Sequence, residues 1–199
     1  IYERYAQRCK AAGAMDFDDL LYNIFVLFHR NPDNVLEKYQ QKFQYLLVDE
    51  FHDTNFLQYA ILKKLVKYQG SGENICIVGD DAQSIYAFRG ATIDNILDFG
   101  KDFANLQTFK LEQNYRSGKF IVNAANNVIT NNLKQIKKEI WTSQPDSSKI
   151  GMVRALSDAE ESRKVVDAIF EHKNRNHIPN AEIAILYRTN AQSRGFEEQ

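Results

Sequence analysis

The segment Phe43-Gln-Tyr-Leu-Leu-Val-Asp-Glu50 decides how the rest of the chain is interpreted. Its apolar run, from Tyr45 to Val48, ends abruptly at two adjacent carboxylates, Asp49 and Glu50. Short continuous apolar runs are typical of buried parallel strands, and open α/β sheets bind ligands beyond the carboxyl ends of such strands. The segment therefore predicts a buried strand that ends in two acidic side chains at the ligand-binding edge of a sheet.

These two carboxylates have two interpretations. Magnesium bound to a nucleotide takes few protein carboxylates and fills its remaining positions with water and phosphate oxygens. Asp49 with its neighbour Glu50 would suffice for such an ion. The alternative is a strand that ends in a solvated acidic turn, and the pair alone does not decide between the two, because short motifs also arise by chance.

The composition narrows the classes of protein to consider. The chain has 199 residues, of which 44% are hydrophobic, which is enough for one large domain or two modest ones. Its net charge of −1 provides no global basic field, so any contact with nucleic acid must be local. No apolar run approaches the roughly 20 residues that a membrane-spanning helix needs, and we expect no membrane partner.

The two cysteines, Cys9 and Cys76, lie far apart in the sequence and match no metal or redox spacing. Cys76 stands in an apolar run and is interpreted as a small core residue. This use of cysteine is typical of a reducing compartment, and we expect a cytoplasmic protein.

Further apolar segments alternate with helical patterns along the chain. Strands that alternate with helices predict an α/β protein with a parallel sheet built from βαβ units. A change of domain near residues 100–110 is predicted, because each side carries its own strand–helix alternation. The predicted strands lie at 45–48, 74–80, 106–111, 151–155 and 182–187, and the predicted helices at 1–12, 20–30, 35–42, 55–68, 91–99, 115–131, 158–174 and from 190 onward.

Two of the later strands also lead into polar segments, Gly79–Ala91 and Leu111–Ser117. A glutamine at the mouth of a strand, such as Gln83, can bridge a γ-phosphate or an attacking water to a neighbouring element. Arg116 offers a planar, permanently charged fork that suits phosphate oxygens, although a surface ion pair is the alternative for any single arginine.

Phosphoryl transfer needs a metal, an oriented water and an arginine that meets the developing charge. The strand-end residues could supply all of these except the loop that cradles the phosphates. The residues concerned are Asp49, Glu50, Gln83 and Arg116.

Aromatic side chains surround a cation at Tyr86, Phe88 and Arg89. Such a cluster can stack on unpaired bases and contact backbone phosphate. The alternative is a set of core aromatics at a sheet edge, which we favour for Tyr86.

Taken in order, these motifs resemble those of the superfamily-one DNA helicases of the UvrD/PcrA/Rep type. Leu47-Val-Asp-Glu-Phe-His-Asp-Thr-Asn55 is similar to the Walker B segment of that family. Gly79–Ala91 resembles its third motif and Leu111–Ser117 its fourth. Asp16–Leu20 and Leu186–Arg194 are further family-like segments, so the resemblance spans residue 15 to the end.

The resemblance implies a role in ATP hydrolysis for each strand-end residue. Asp49 would hold Mg²⁺, with Glu50 beside it activating the attacking water. Gln83 would bind and sense the γ-phosphate. Arg116 would act as an arginine finger that reaches across from a second RecA-like domain, with Tyr115 near the nucleotide.

The resemblance also implies contact with DNA. Phe88 would stack on a base of single-stranded DNA, with Arg89 beside it. Closure of two RecA-like domains on ATP would drive stepping in the 3′ to 5′ direction, at single strands and duplex junctions, in repair or replication.

Two residues depart from the family pattern. His52 stands where the family usually has glutamine, and an imidazole can still donate and accept hydrogen bonds, although with a different geometry. Phe88 stands where tryptophan is common, which leaves a smaller stacking face.

The resemblance also implies that the chain is an internal part of a helicase. No Gly-x-x-x-x-Gly-Lys-Ser/Thr sequence is present, and the family has that phosphate loop before the matched residues and its last motifs after them. The implied domains are the end of an inserted helical subdomain (1–14), the C-terminal part of the first RecA-like domain (15–105) and the N-terminal part of the second (106–199). We expect an ATPase in the longer protein and an inactive chain on its own.

Three alternatives stay open at this point. One is a Mg²⁺-dependent phosphatase or nuclease built on Asp49, Glu50, Asp80 and Asp81. Another is a non-catalytic module that binds DNA or a protein partner. The third is the helicase half of a helicase–nuclease recombination subunit.

Overall fold

A computed structural model describes residues 1–145 and 149–199, and its contacts divide the chain into two compact units. The first unit, Ile1–Pro145, contains the strands and most of the helices; the second ends at Gln199. The first unit holds α1 (Tyr2–Ala11), α2 (Phe17–Arg30), α3 (Val35–Lys42), β1 (Leu46–Val48), α4 (Phe56–Val66), β2 (Ile75–Ile77), α5 (Asp94–Leu97), α6 (Phe99–Asp102) and α7 (Lys119–Ile129). The second holds α8 (Asp158–Asn176) and α9 (Ser193–Glu197).

Helices α2, α4 and α8 begin where the sequence supplies a capping side chain. Asp16 accepts a hydrogen bond from the Asp19 N–H at 2.8 Å before α2. Asn55 accepts one from the Gln58 N–H at 2.8 Å before α4, and the Gln58 side chain accepts one in return from the Asn55 N–H. These reciprocal bonds satisfy backbone donors that the first turn of a helix leaves without partners. They fix the start of α4 directly after the Asp49-Glu50 segment.

β1 and β2 pair in parallel, with Leu46 opposite Ile75 and Val48 opposite Ile77. These four side chains pack against the hydrophobic core, whereas Leu47 between them is exposed on the other face of the pair. Because the strands are parallel and in register, their carboxyl ends lie at one edge. The polar segments that follow the two strands therefore begin next to each other.

The core of the first unit is an aromatic cluster beneath this pair. Phe51 is fully buried, and its ring meets the rings of Tyr59 and Phe99 edge-on, with centroids 5.4 and 5.5 Å apart. Edge-to-face contacts of this kind add to the free energy gained by burying apolar surface. Val66 and Phe103 complete the buried cluster. Phe51 follows Glu50 directly, so the core anchors the acidic turn.

The structure confirms the other predicted helices, with shifted ends, and a strand in each of the first two predicted segments, whereas two short helices, α5 and α6, replace the single helix predicted at 91–99. The predicted strands at 106–111, 151–155 and 182–187 are wrong: within the described residues, β1 and β2 alone form a ladder. A strand exists only where a second strand accepts its backbone hydrogen bonds, and a sequence pattern does not show whether that partner is present. The prediction for Cys76 is also wrong, because this side chain lies on the exposed face of β2.

The parallel pair among helices supports the predicted α/β class, while the RecA-like architecture stays a prediction. None of the described helices combines the length and the apolar character needed to cross a membrane.

A buried hydroxyl links the core to α6. The Tyr59 hydroxyl donates to Asp102 Oδ2 at 2.7 Å, and Lys63 Nζ lies 3.2 Å from the same oxygen. The hydrogen bond from Tyr59, followed by those from Lys63, lowers the pKa of the Asp102 carboxyl in spite of its partial burial. A carboxyl with a lowered pKa stabilises the folded state above its unfolded-state pKa, and this stabilisation is lost as the pH falls through the folded-state pKa.

We predict that Tyr59→Phe, which keeps the ring and removes the hydroxyl, lowers the free energy of unfolding by about 1 kcal/mol at neutral pH. Urea denaturation of wild type and variant measures this difference, with Tyr45→Phe at an exposed position as the control. The difference in the free energy of unfolding should shrink as the pH falls below 3.8, which is the ordinary pKa of an aspartate side chain. A difference of the same size at acidic and neutral pH would contradict the assignment.

Candidate functional site

The ends of β1 and β2 are joined by backbone hydrogen bonds beyond the strands themselves. The Val78 N–H donates to the Val48 carbonyl at 2.8 Å, and the Phe51 N–H donates to the Val78 carbonyl at 2.9 Å. The chain after β1 thus turns back across the end of β2. This places Asp49 and Glu50 beside the start of the segment that carries Gln83.

His52 lies at the centre of this junction and is only 3% exposed. Its Nδ1 accepts a hydrogen bond from the Asp80 backbone N–H at 3.1 Å, and its carbonyl accepts one from the Ser84 hydroxyl at 3.1 Å. Because Nδ1 is the acceptor, the neutral imidazole carries its proton on Nε2. That nitrogen lies 3.6 Å from Glu50 Oε2 and 3.7 Å from Asp53 Oδ1. The histidine thus connects both strand ends.

Gly79 allows the two segments to approach so closely. A Cβ at this position would lie 3.2 Å from both the His52 backbone nitrogen and Ile96 Cδ1. These separations are tighter than normal carbon contacts, and the backbone atom cannot move without shifting the turn. Packing between the two strand ends therefore favours glycine at this position.

The acidic turn itself has an uncommon backbone. Glu50 adopts left-handed dihedral angles (φ 49°, ψ 41°), which non-glycine residues rarely do, and its N–H donates to Asp49 Oδ1 at 2.9 Å. Strained residues of this kind cluster at functional sites, where the surrounding structure holds them in place. The Glu50 side chain is 70% exposed, and that of Asp49 is exposed too. Both carboxylates are thus open to a ligand.

This pair of carboxylates fits the ligand preference of Mg²⁺, which takes oxygen donors and keeps several water or phosphate positions. Across residues 1–145 and 149–199, no group of three or more His, Cys, Asp or Glu side chains could hold a metal by itself.

The segment after β2 is organised by two aspartates and a lysine. Gln83 Nε2 donates to Asp80 Oδ2 at 2.8 Å. Lys138 Nζ lies 2.5 Å from Asp80 Oδ1 and 2.9 Å from Asp81 Oδ1. The Ile136 N–H donates to the other oxygen of Asp81 at 2.7 Å, and the Asp81 side chain is only 2% exposed. Both aspartates are thus fully engaged in a structural network.

The charges in this network stabilise each other. Burial alone raises the pKa of the Asp80 carboxyl, but hydrogen bonds from Lys138, Gln83 and the Ala82 N–H outweigh it, so its pKa is lowered overall. Burial likewise lowers the pKa of Lys138, and the bonds to Asp80 and Asp81 outweigh it, so its pKa is raised overall. Both groups are charged at neutral pH.

Arg116 and Tyr115 lie on a turn before α7. The Asn114 side chain accepts hydrogen bonds from the backbone N–H groups of Arg116 at 3.0 Å and Ser117 at 2.7 Å. The Asn114 N–H donates to the Trp141 carbonyl at 2.7 Å. The turn is therefore fixed at its base, whereas the side chains of Tyr115 and Arg116 are exposed.

The structure brings together part of the predicted ATP site. Asp49, Glu50 and Gln83 follow the paired strand ends, whereas Tyr115 and Arg116 lie on the separate turn. No hydrogen bond or ion pair within the described residues joins either member of the turn to the strand-end group. Their predicted roles are untested by these contacts.

The predicted DNA-binding cluster is largely open. Phe88 is 77% exposed, and its ring centroid lies 5.9 Å from that of Tyr86. The Arg89 guanidinium lies 5.4 Å from the Tyr86 ring and 5.5 Å from the Phe88 ring. Gly90, with φ 86°, ends the turn in a conformation that favours glycine. A flat aromatic face and a cation are thus presented together at the surface.

Sequence reasoning missed Lys138. The residue lies in a lysine-rich stretch whose sequence predicts an irregular connection over 131–148, of which 146–148 lie outside the described residues, and it has no fixed spacing from Asp80 or Asp81. The pairing joins residues 57 and 58 positions apart. The two adjacent aspartates were the available signal, because a buried acidic residue requires a cation or hydrogen-bond donors.

Comparison with known families defines the class of protein, because both family models that match this chain describe helicase domains. The UvrD/REP helicase N-terminal domain matches residues 1–104, and the UvrD-like helicase C-terminal domain matches residues 109–199. The chain belongs to the UvrD/REP helicase family. The compact units divide elsewhere, after Pro145, and the domain limits predicted from the sequence stay predictions.

The chain is similar over its whole length to curated relatives named ATP-dependent DNA helicase PcrA. It is 47% identical over 198 residues to PcrA of Staphylococcus aureus strains Mu50 and NCTC 8325, and 46% identical over 198 residues to PcrA of Staphylococcus epidermidis strain RP62A. The match covers 100% of this chain and 26% of each relative. The chain thus spans about a quarter of the length of these relatives.

We predict that His52→Leu lowers the free energy of unfolding by about 1–3 kcal/mol, because the Asp80 N–H loses its buried acceptor. His52→Gln restores an acceptor, and its free energy of unfolding should fall by less than half as much as that of His52→Leu. Chemical denaturation of the three proteins measures both differences. Equal losses in the two variants would show that the imidazole packs in this site without joining the strand ends through its hydrogen bond.

Proposed function

We propose that the chain forms part of an ATP-dependent DNA helicase that couples hydrolysis of Mg-ATP to 3′ to 5′ movement on single-stranded DNA. The observation that carries this proposal is the junction of β1 and β2. It places the exposed Asp49-Glu50 pair and the Gln83 segment at one edge of a parallel pair. Open parallel sheets bind their ligands at this edge. Since the chain spans about a quarter of its relatives, turnover is assigned to the longer protein that contains it.

In this proposal the acidic turn performs the chemistry of hydrolysis. Asp49 would hold Mg²⁺, which when bound neutralises charge on the phosphate oxygens. The Glu50 carboxylate accepts a proton from the attacking water and orients that water toward the γ-phosphate. Its 70% exposed side chain has the access to solvent that this role requires.

Gln83 links the phosphate site to the rest of the fold. Its amide is bonded to Asp80 at 2.8 Å and has a second N–H for a ligand. Arg116 supplies the arginine that meets charge developing on the transferred phosphoryl group, and Tyr115 lies near the nucleotide. Both come from residues 106–199, which the proposal assigns to the start of a second RecA-like domain that closes on the first.

The aromatic turn supplies the contact with DNA. Phe88 stacks on an unpaired base, and Arg89 meets the adjacent backbone phosphate. The exposed ring and the nearby guanidinium support these roles. Binding at single strands and duplex junctions, and a place in repair or replication, follow from the same proposal.

One alternative is disfavoured by the contacts. A phosphatase or nuclease that uses Asp80 and Asp81 as metal ligands would need their oxygens free. Lys138 already occupies an oxygen of each aspartate and offsets one of their two negative charges, and the Ile136 N–H occupies the other oxygen of Asp81. The helicase proposal needs neither aspartate as a metal ligand.

We expect a chimera, in which this chain replaces the matching segment of Staphylococcus aureus PcrA, to hydrolyse ATP faster when single-stranded DNA is present. Glu50→Gln in this chimera should lower kcat by about 100-fold or more while ATP still binds, because the variant loses its general base. Steady-state hydrolysis and nucleotide-binding assays measure the two effects.

Glu73→Gln is the matched control, because it removes the same charge from an exposed position of the same unit. Turnover of the Glu50 variant within a few-fold of wild type would exclude Glu50 as the base. A folded chimera that does not hydrolyse ATP would contradict the proposed function itself.

We predict that Phe88→Ala in the chimera weakens binding of single-stranded DNA by about 1–3 kcal/mol, through the loss of one stacked base. Fluorescence anisotropy with a labelled oligonucleotide at fixed salt gives this value. Phe56→Ala, at another exposed phenylalanine, is the control. Unchanged affinity in the Phe88 variant would assign the ring to a different surface role.

A further inference from the structure

Lys138 contacts the turn that carries Gln83 from a distant part of the sequence. It lies in the stretch 131–145, which follows α7, and its side chain is only 20% exposed. Its ammonium bridges Asp80 at 2.5 Å and Asp81 at 2.9 Å. A single lysine thus holds two adjacent carboxylates of the turn that carries Gln83.

The two oxygens of Asp80 have different partners. Oδ1 accepts hydrogen bonds from Lys138 and from the Ala82 N–H at 3.0 Å. Oδ2 accepts the hydrogen bond from Gln83 Nε2 at 2.8 Å. The orientation of this carboxylate therefore depends on Lys138 on one side and determines the position of the Gln83 amide on the other.

A second contact supports the same stretch against the turn. The Ile136 backbone N–H donates to Asp81 Oδ2 at 2.7 Å, and Lys138 engages the Asp81 Oδ1 atom. The backbone N–H of Ile136 and the side chain of Lys138 thus bind the two oxygens of the buried Asp81. Displacing this stretch would leave the Asp81 carboxylate buried without its partners, which is strongly unfavourable.

The partners lie on opposite sides of the division between the two family models. Lys138 is within the residues matched by the UvrD-like helicase C-terminal domain, and Asp80, Asp81 and Gln83 are within those matched by the N-terminal domain. All four belong to the first compact unit. The ion pair is therefore a direct physical link between the two matched halves of the sequence.

We propose that Lys138 is a positioning residue for Gln83: by holding Asp80 and Asp81 together, it sets the Asp80 carboxylate that orients the Gln83 amide toward the phosphate. The inference rests on the proposed role of Gln83 in ATP hydrolysis. It adds that the position of 131–145 controls this role through one ion pair.

The test uses Lys138→Met, which keeps much of the side-chain length and removes the charge, in the chimera with PcrA. We expect kcat for DNA-stimulated ATP hydrolysis to fall about 10-fold, as expected for the loss of one charge-assisted hydrogen bond, while KM for ATP changes less than about 2-fold. Lys138→Arg should recover most of kcat because it keeps the charge. Lys134→Met is the control, since its exposed side chain makes only a 3.8 Å ion pair with Asp94.

A double-mutant cycle separates positioning from general stability. If Lys138 acts through Gln83, the variant that combines Lys138→Met with Gln83→Ala should have the kcat of Gln83→Ala alone, within about 2-fold. If the losses in kcat of the two single variants multiply in the double variant, the inference is overturned. Equal kcat values for Lys138→Met and Lys134→Met would overturn it too. If wild type turns over and Gln83→Ala is unimpaired, the proposed role of Gln83 fails, and this inference fails with it.

A second measurement does not depend on turnover. In isotope-labelled chain without nucleotide, Lys138→Met should shift the NMR signals of the Gln83 side-chain amide and raise the pKa of the Asp80 carboxyl, while Lys134→Met should leave both unchanged. An unchanged Gln83 amide in the Lys138 variant would overturn the inference even in an active helicase. A shifted amide in an inactive chimera would support the positioning contact and contradict only the proposed function.

Discussion

The hydrogen bond from the Asp80 backbone N–H to the buried His52 imidazole is the interaction on which the arrangement of the site depends. It joins the chain after β1 to the chain after β2, and the backbone bond from Phe51 to Val78 reinforces it. Phe51 is fully buried in the aromatic core, and this burial fixes the position of the junction. The strained backbone of Glu50 lies between the end of β1 and the buried Phe51, and its carboxylate stays open to solvent.

The acidic residues at the two strand ends have separate tasks because their surroundings differ. Asp49 and Glu50 are exposed, and no lysine or arginine of the described residues is bonded to either; His52 Nε2 lies 3.6 Å from Glu50 Oε2. Asp80 and Asp81 are engaged by Lys138, and Asp81 is buried. The first pair is thus suited to a metal and a water, and the second to fixing the turn that carries Gln83. Two similar sequence signatures are therefore found in different surroundings.

The sequence was sufficient for local features and for the family. Capping residues such as Asn55 mark helix starts, and the run before Asp49 marks β1, because both signals act between near neighbours. The strands predicted at 106–111, 151–155 and 182–187 were wrong, because pairing depends on a partner that the pattern does not contain. Lys138 was missed for a related reason, since its partners lie 57 and 58 residues away. The burial of His52 between the strand ends could not be predicted from the sequence either, because it results from the packing of the two segments.

We propose that this edge of the parallel pair receives Mg-ATP. The most direct test is an experimental structure of the PcrA chimera with Mg²⁺ and a non-hydrolysable ATP analogue. We predict that the ion binds to Asp49 and that the Glu50 carboxylate faces the water in line with the γ-phosphate. The Gln83 amide should lie within hydrogen-bond distance of a γ-phosphate oxygen. A nucleotide or ion bound elsewhere, with Asp49 and Glu50 left in solvent, would contradict it.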